Sequence, residues 1–403
     1  MFANLRLGDL IPNLPNEEDR YWVVYQYCQE PELSSGFGIT PEAIDTNPEG
    51  VFLDALFPII IEPSILKQFQ TFQKAYKNSK YFNEYISEIM PENWLRDLCI
   101  NTYQKLRQEF DSIRNSIGTI ELSDFYIHSM RTQLLLQQLR KYRVKLNDKT
   151  IEGFVEQKLT IPGVLEKKNI NLNLDYDFWG AVSGRLSHFP HSFPILNLRK
   201  DLRSCIVPHN DYFVDFDYRA ADITPIIYMC YPGIDFDSID LYDWVCKLIN
   251  LNEPDRSKMK QKVFASLYAR EESELHKKMR VEDKIQQFII RKTDTETWLL
   301  TPYNRLLKIP NRENQIQLLP YIIQSVTNDS MLSTIIKVQE LIDNNNLKSK
   351  ICFLIHDEFV MDVVESELEW MNQIGEIMKD TRIGKYSIHT KIGNNFGDMK
   401  EIS

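Results

Sequence analysis

The stretch Asp211–Tyr228, DYFVDFDYRAADITPIIY, constrains this chain more than any other. It opens with the apolar run Tyr212-Phe213-Val214, alternates into Asp215 and Asp217, and then changes period. Ala220, Ala221, Ile223, Ile226 and Ile227 fall at helical spacing. The pattern predicts a strand running into a helix, with Asp217 at the switch and Asp222 about one turn further on. A strand fixes the direction of an acid at its end while the loop leaves the oxygens open, so such an acid can hold a metal. The plainer role for it is a helix N-cap.

A second acidic stretch, Lys350–Val364, reads KICFLIHDEFVMDVV: two apolar runs of strand composition around His356-Asp357-Glu358. Adjacent acids at the tip of an otherwise buried hairpin are costly unless something compensates their charge. A divalent cation shared with Asp217 does so, since Mg²⁺ takes carboxylate oxygens, waters and substrate phosphates. The alternative is a polar hairpin turn and nothing more.

The third stretch, Asp255–Arg270, reads DRSKMKQKVFASLYAR, without Gly or Pro, and is expected to be helical. Arg256, Lys260, Phe264 and Tyr268 recur every four residues and form one stripe. Cations followed by rings along one face suit a nucleoside triphosphate, the charges meeting phosphates and a ring stacking on the base. A basic, solvated helix with its rings turned to the core is the bland alternative.

Together these stretches resemble the family A DNA polymerases, the bacterial polymerase I type. Asp217-Tyr218-Arg219-Ala220-Ala221-Asp222 stands where that family has Asp-Tyr-Ser-Gln-Ile-Glu. Arg256, Lys260, Phe264 and Tyr268 reproduce its Arg-x3-Lys-x3-Phe-x3-Tyr helix, and His356-Asp357-Glu358 its His-Asp-Glu hairpin. Ser183-Gly184-Arg185-Leu186-Ser187 resembles its Thr-Gly-Arg-Leu-Ser element, and Asn197 its following Asn. Gln324 and Asp329 match Gln-x4-Asp, and Gly393-Asn394-Asn395-Phe396 resembles the C-terminal Gly-x-Asn-Trp. The resemblance covers roughly residues 120–403.

The resemblance implies an α+β, right-hand polymerase fold, with a palm of antiparallel sheet plus helices, helical fingers and a helical thumb. On that basis residues 1–63 are an N-terminal cap or remnant, 64–148 the thumb, 149–235 the first part of the palm, 236–315 the fingers and 316–403 the rest of the palm. Helices are expected at Ile65–Ser79 and Leu122–Leu146. The implied activity is template-directed addition of dNTPs to a primer 3′ end by two-metal phosphoryl transfer. Asp217 and Asp357, with the Tyr218 backbone carbonyl, would hold two Mg²⁺ ions, Mn²⁺ being able to substitute. Glu358 would stand behind them. Arg256 and Lys260 would meet the triphosphate, with Lys260 also a proton donor to the leaving pyrophosphate. Phe264, Tyr268, Asp222 and Tyr218 complete the implied dNTP pocket. Arg185, Asn197, Gln324 and His356 are the implied contacts to primer–template DNA.

Composition is permissive. A chain of 403 residues, 43% hydrophobic, can bury a large core in two or three lobes. The net charge of −10 argues against nucleic acid as a partner, but cations cluster locally, as at Arg131, Arg140, Lys141, Arg143 and Lys145. Six scattered cysteines without a CxxC pair fit a reducing interior, and no signal peptide or span is visible. An intracellular site, cytoplasmic or nucleoid-associated, is therefore expected, without membrane. Asp294-Thr295-Glu296 has the Asp-x-Glu of a proofreading exonuclease but lies between polymerase motifs, and reads as a surface turn. The expectation is a module lacking its own exonuclease and working with a separate exonuclease, helicase or processivity factor.

Several positions depart from the family pattern. Asp222 replaces the Glu that packs against the sugar, Ala269 a Gly, Tyr242 a His beside the triphosphate, and Pro320 an Asn. The shorter acid at 222 puts exclusion of ribonucleotides in question and keeps open an RNA polymerase or primase-like relative. A primer–template binding protein without activity is the third reading.

Overall fold

The computed structural model of this protein describes residues 123–157, 172–178, 180–189, 192–232 and 239–402, with the paired dipeptides Tyr21–Trp22 and Pro58–Ile59. The chain forms two compact units, residues 1–134 and 135–403. The expected helix Ile65–Ser79, and most of the stretches read as cap and thumb, lie outside the described residues.

In chain order the helices and strands begin with α1 (Ser123–Leu139), which ends well before the expected Leu146, and α2 (Asp148–Glu156). Strand β1 (Tyr212–Tyr218) leads to α3 (Thr224–Cys230), α4 (Leu241–Leu248), α5 (Arg256–Leu267), α6 (Glu274–Met279) and α7 (Val281–Phe288). Strands β2 (Ile289–Lys292), β3 (Glu296–Leu300) and β4 (Leu306–Pro310) follow, then the long α8 (Leu319–Asn344). The hairpin β5 (Lys350–Ile355) and β6 (Glu358–Val363), α9 (Trp370–Lys379), β7 (Ile388–Gly393) and β8 (Lys400–Glu401) close the chain.

The central sheet is antiparallel throughout, in the order β5-β6-β1-β7-β8. Strand β1 thus lies in the middle, which is why Phe213, Val214 and Phe216 are buried on both of its faces. One face carries Phe216 stacked on Phe359 at 5.0 Å, and Tyr218 against Tyr386 at 4.4 Å. Helices α8 and α9 cover it: the Tyr218 hydroxyl reaches Thr334 Oγ1 of α8 (2.9 Å) and donates to the Met378 carbonyl of α9 (2.8 Å). Between Ser325 and Leu332 every residue of α8 is buried. That makes α8 a core helix, and Pro320 sits in its first turn, where the missing N–H costs nothing. On the other face Phe213, Phe353 and Phe396 form a cluster with ring centroids 5.5–6.4 Å apart. Each such buried ring contributes about 2–3 kcal/mol.

Two sequence expectations change. The helix after β1 begins at Thr224, not near Ala220, because Ala220 takes a left-handed φ of 52° and turns the chain first. The stretch 236–315, expected to be helical, also holds the antiparallel meander β2-β3-β4. Its strands are rich in β-branched and aromatic residues, as in Glu296-Thr297-Trp298, and this preference prevails there. Asp294 and Thr295 are exposed in the β2–β3 turn, as expected. Among the described residues no helix is long and apolar enough to cross a membrane, and Cys205, Cys230, Cys246 and Cys352 are free thiols.

Candidate active site

The strand register sets the acids. Asp217 on β1 pairs with Glu358 on one side and His389 on the other, while Asp215 pairs with Val360 and Lys391. Directly opposed residues in an antiparallel sheet share a face. Asp215, Asp217 and Glu358 therefore stand together on the face opposite α8. The β5–β6 turn adds Asp357, whose carbonyl accepts the Tyr218 N–H at 3.1 Å. His356, the first residue of that turn, has φ 58°, where glycine is favoured. This strained turn fixes the place of Asp357 beside the end of β1.

Burial and mutual repulsion dominate the electrostatics. Burial, then Asp357 and Asp215, push the Asp217 carboxyl up to about 7 against the pull of Lys391 and Lys200. Burial, then Asp215 and Asp217, bring Glu358 to about 7 as well. Arg203 donates to Glu358 at 3.3 Å and opposes that rise without cancelling it. Burial raises Asp357 and Asp215 too. Lys391 Nζ lies 3.0 Å from Asp215 Oδ2 and 3.9 Å from Asp217 Oδ2. Asp215 Oδ1 is buried without a hydrogen-bond partner. Burial and the cations Arg185 and Arg203 keep His356 below its usual range, hence neutral near pH 7.

A buried brace carries the Ser183-Gly184-Arg185 loop. Arg305 makes a two-pronged contact to Asp329 of α8, Nε to Oδ2 at 2.8 Å and Nη2 to Oδ1 at 2.7 Å. Gly184, at φ 74°, lies directly on the Arg305 guanidinium, where an added Cβ would fall 2.4 Å from Cζ. The Ser183 hydroxyl donates to Gln324 Oε1 at 3.3 Å. The loop presents exposed Arg185, whose charge acts on Asp222, Tyr268, His356 and Asp357.

Helix α5 starts cleanly because the Asp255 side chain caps it, accepting from Ser257 N (2.9 Å) and Lys258 N (3.2 Å). Its stripe is real. The Arg256 guanidinium lies 5.0 Å and Lys260 Nζ 5.2 Å from the Tyr242 ring centroid. Phe264 meets Tyr242 edge-on at 6.1 Å and stacks on Tyr268 at 6.2 Å. Burial, then the neighbouring Asp222 charge, raise the Tyr268 hydroxyl well above its usual range. Burial, then the charges of Asp222 and Asp357, raise Tyr242 to about 12, which places those acids within electrostatic reach of the stripe. Arg256 is meanwhile held by Asp240 and by Asp243 (2.9 Å).

The structure thus brings together Asp217, Asp357, Glu358, His356, Arg185, Asp222, Lys260, Phe264 and Tyr268. Gln324 enters through Ser183. Asn197 stays exposed at the end of the short turn Ile195–Asn197 and joins no side chain of the cluster among the described residues. The Tyr218 side chain is buried under α8 and α9, which leaves only its main chain to the site. Sequence reasoning missed four side chains. Asp215 was legible as the same-face neighbour two residues from Asp217. Lys391, Arg203 and Arg305 depend on long-range register and packing, for which the sequence carries no signal.

Among the described residues no three His, Cys, Asp or Glu side chains form a ready-made metal cluster. The donors present are nonetheless carboxylate oxygens, desolvated and repelling one another, with one orphaned at Asp215. They fit a hard cation that completes its shell with waters and substrate phosphates.

Among solved structures the chain is similar to the POL domain of Pol1 from M. smegmatis in complex with DNA primer-template and dNTP. The TM-score is 0.56 and the identity 13%, over 75% of each chain. No family model matches the sequence, and no curated protein matches it. The likeness shows a shared fold: a mixed α/β architecture of antiparallel sheet and helices like that of a polymerase domain.

Proposed function

We propose that this protein is a template-directed DNA polymerase that adds dNTPs to a primer 3′ end. The observation that carries the reading is the union of three elements at one place. Asp217 and Asp357 are locked side by side through the Tyr218 N–H, and the Arg256–Tyr268 stripe ends on Asp222 beside them. The fold shared with a polymerase domain supports it.

In this reading residues 149–235 and 316–403 form the palm, 236–315 the fingers and 64–148 the thumb. Asp217 and Asp357, with the Tyr218 carbonyl, would hold Mg²⁺, which Mn²⁺ could replace. Bound there, it would supply a lowered pKa at the primer hydroxyl and neutralisation of charge on the triphosphate. Lys260 and Arg256 orient the triphosphate, Arg256 exchanging Asp240 and Asp243 for phosphate oxygens, and Lys260 supplies a proton to the departing pyrophosphate. Phe264 stacks on the incoming base and Tyr268 borders the templating position. Neutral His356 contacts the primer end, and Arg185, Asn197 and Gln324 contact the duplex. Asp215 and Lys391 hold Asp217 in place.

The test is primer extension by the purified chain with Mg²⁺, offering dNTPs and rNTPs separately, with Asp357→Ala alongside. Extension by the wild type alone supports the reading. Equal absence of extension in both proteins sinks it in favour of a binding protein, and extension with rNTPs as efficient as with dNTPs moves the chain to the RNA polymerase or primase-like class.

A further inference from the structure

A second, basic cavity lies at the opposite end of the β5–β6 pair from the acids. These strands pair Lys350 with Asp362 at one end and Ile355 with Glu358 at the other, a separation of about 17 Å along the strand. Around Lys350 is a cavity of about 780 Å³, formed where the end of α1, the loop before β1 and the α8–β5 connection meet. Lys141, Arg143, Lys348 and Lys350 line it, and all four are exposed. None of them is engaged in an ion pair among the described residues.

Both carboxylates on the cavity are already satisfied. Asp362 accepts from the Tyr142 hydroxyl (2.9 Å) and from the backbone N–H groups of His209 (2.8 Å) and Asn210 (2.9 Å). Asp343 accepts from the Gln339 amide at 2.8 Å. These neutral donors orient the carboxylates without neutralising them, but four cations against two carboxylates still leave an excess of positive charge among the lining residues, in a chain whose net charge is −10. His209 adds an exposed ring, hydrogen-bonded through Nε2 to the Arg143 carbonyl at 2.7 Å and edge-on to Tyr142 at 5.3 Å. A ring fixed in this way is a platform for a nucleobase.

We propose that this cavity binds a nucleotide-sized anion carrying several phosphates, at a site separate from the Asp217–Asp357 centre. Its volume lies within the range of about 300–1,000 Å³ typical of small-ligand sites. Four cations line it, more than a single phosphate needs. The ligand is either a free nucleoside polyphosphate or a short single-stranded segment, since both present phosphates and a base. The proposal rests on this cavity's charge and shape and not on the polymerase reading, so either can fail alone.

The experiment is calorimetric titration of the full chain in EDTA, in an Arg256→Ala/Lys260→Ala background that removes the stripe's cations. Inorganic tripolyphosphate, ATP and an eight-residue oligothymidylate are the probes. Tripolyphosphate should bind one to one, less tightly as salt rises, and Lys348→Gln/Lys350→Gln should weaken it at least about tenfold with little change in Tm. ATP binding more tightly than the oligonucleotide assigns the site to a free nucleotide, and the reverse order assigns it to a single strand. Absence of saturable tripolyphosphate binding, or binding indifferent to Lys348→Gln/Lys350→Gln, overturns the proposal.

Discussion

Tyr268, the last residue of the α5 stripe, and Asp222, in the turn that follows β1, act on each other: the Asp222 charge raises the Tyr268 hydroxyl after burial does, and Tyr268 draws the Asp222 carboxyl down. Burial raises the Asp222 carboxyl, and Tyr268 and the Arg185 charge draw it back.

If that acid gates the sugar, Asp222→Ala removes the gate and Asp222→Glu narrows it. The ratio of dATP to ATP insertion at a template T, measured as kcat/KM for single additions, should fall about tenfold or more in Asp222→Ala and rise in Asp222→Glu. Tyr268→Phe, which removes the hydroxyl acting on that carboxylate, should shift the ratio without abolishing insertion. A ratio unmoved by all three removes Asp222 from sugar selection.

Asp217→Ala and Asp357→Ala should each lower Mg²⁺-dependent extension on the order of a thousandfold, the scale of losing one electrostatic anchor of a transition state. Both proteins should stay folded by circular dichroism, because each deletion relieves a repelling carboxylate. Retention of more than a tenth of wild-type rate by either variant would show that its carboxylate is not a ligand the reaction needs.

Much of this site could be read before any coordinates, and the parts that could not share a physical cause. Period alone places β1, the β5–β6 hairpin and α5, because local spacing decides which residues share a face. Hence Asp217, Asp357 and the Arg256–Tyr268 stripe were legible. The helix start after β1 was not, since it depends on Ala220 adopting a left-handed φ that its side chain does not announce. The β2-β3-β4 meander was hidden by its short strands. Lys391 and Arg203 enter the acidic cluster through partner choice in the sheet and through Gly397 packing on Ser204, where an added Cβ would lie 2.5 Å from the Ser204 nitrogen. Such choices are global, and no window of sequence contains them.

The acidic cluster also fixes the sign of a pH effect. Asp217 titrates near 3.8 when unperturbed and at about 7 in the folded chain. Between those values the native state holds a proton that the unfolded state has lost, so stability falls as pH rises through the window. The loss is complete above about 7 and at most about 4 kcal/mol. Glu358 acts in the same direction. Asp217→Asn should therefore match the wild-type Tm at pH 4 and exceed it at pH 8. Mg²⁺ should raise the wild-type Tm more at pH 8 than at pH 5, with little effect on Asp217→Asn. A Tm difference that is the same at pH 4 and pH 8 would rule this linkage out.

The Arg305–Asp329 pair makes the most direct claim about packing. Both side chains are buried, at 4% and 0% exposure, and face each other as a two-pronged ion pair. Arg305→Ala removes the cation from this buried pair and should cost about 3–5 kcal/mol in a denaturant melt, whereas Arg305→Met/Asp329→Leu should cost less than the single change. Gly184→Ala presses on the same guanidinium from the other side: its Cβ would sit 2.4 Å from Cζ on a backbone at φ 74°. The loop must then move, carrying Arg185 away from Asp222 and Asp357. If Arg185 contacts the primer–template duplex, Gly184→Ala should raise the Kd for duplex while leaving the Arg305–Asp329 pair, and most of the stability, in place. A Gly184→Ala protein that binds duplex as well as the wild type would mean that the brace serves the fold alone.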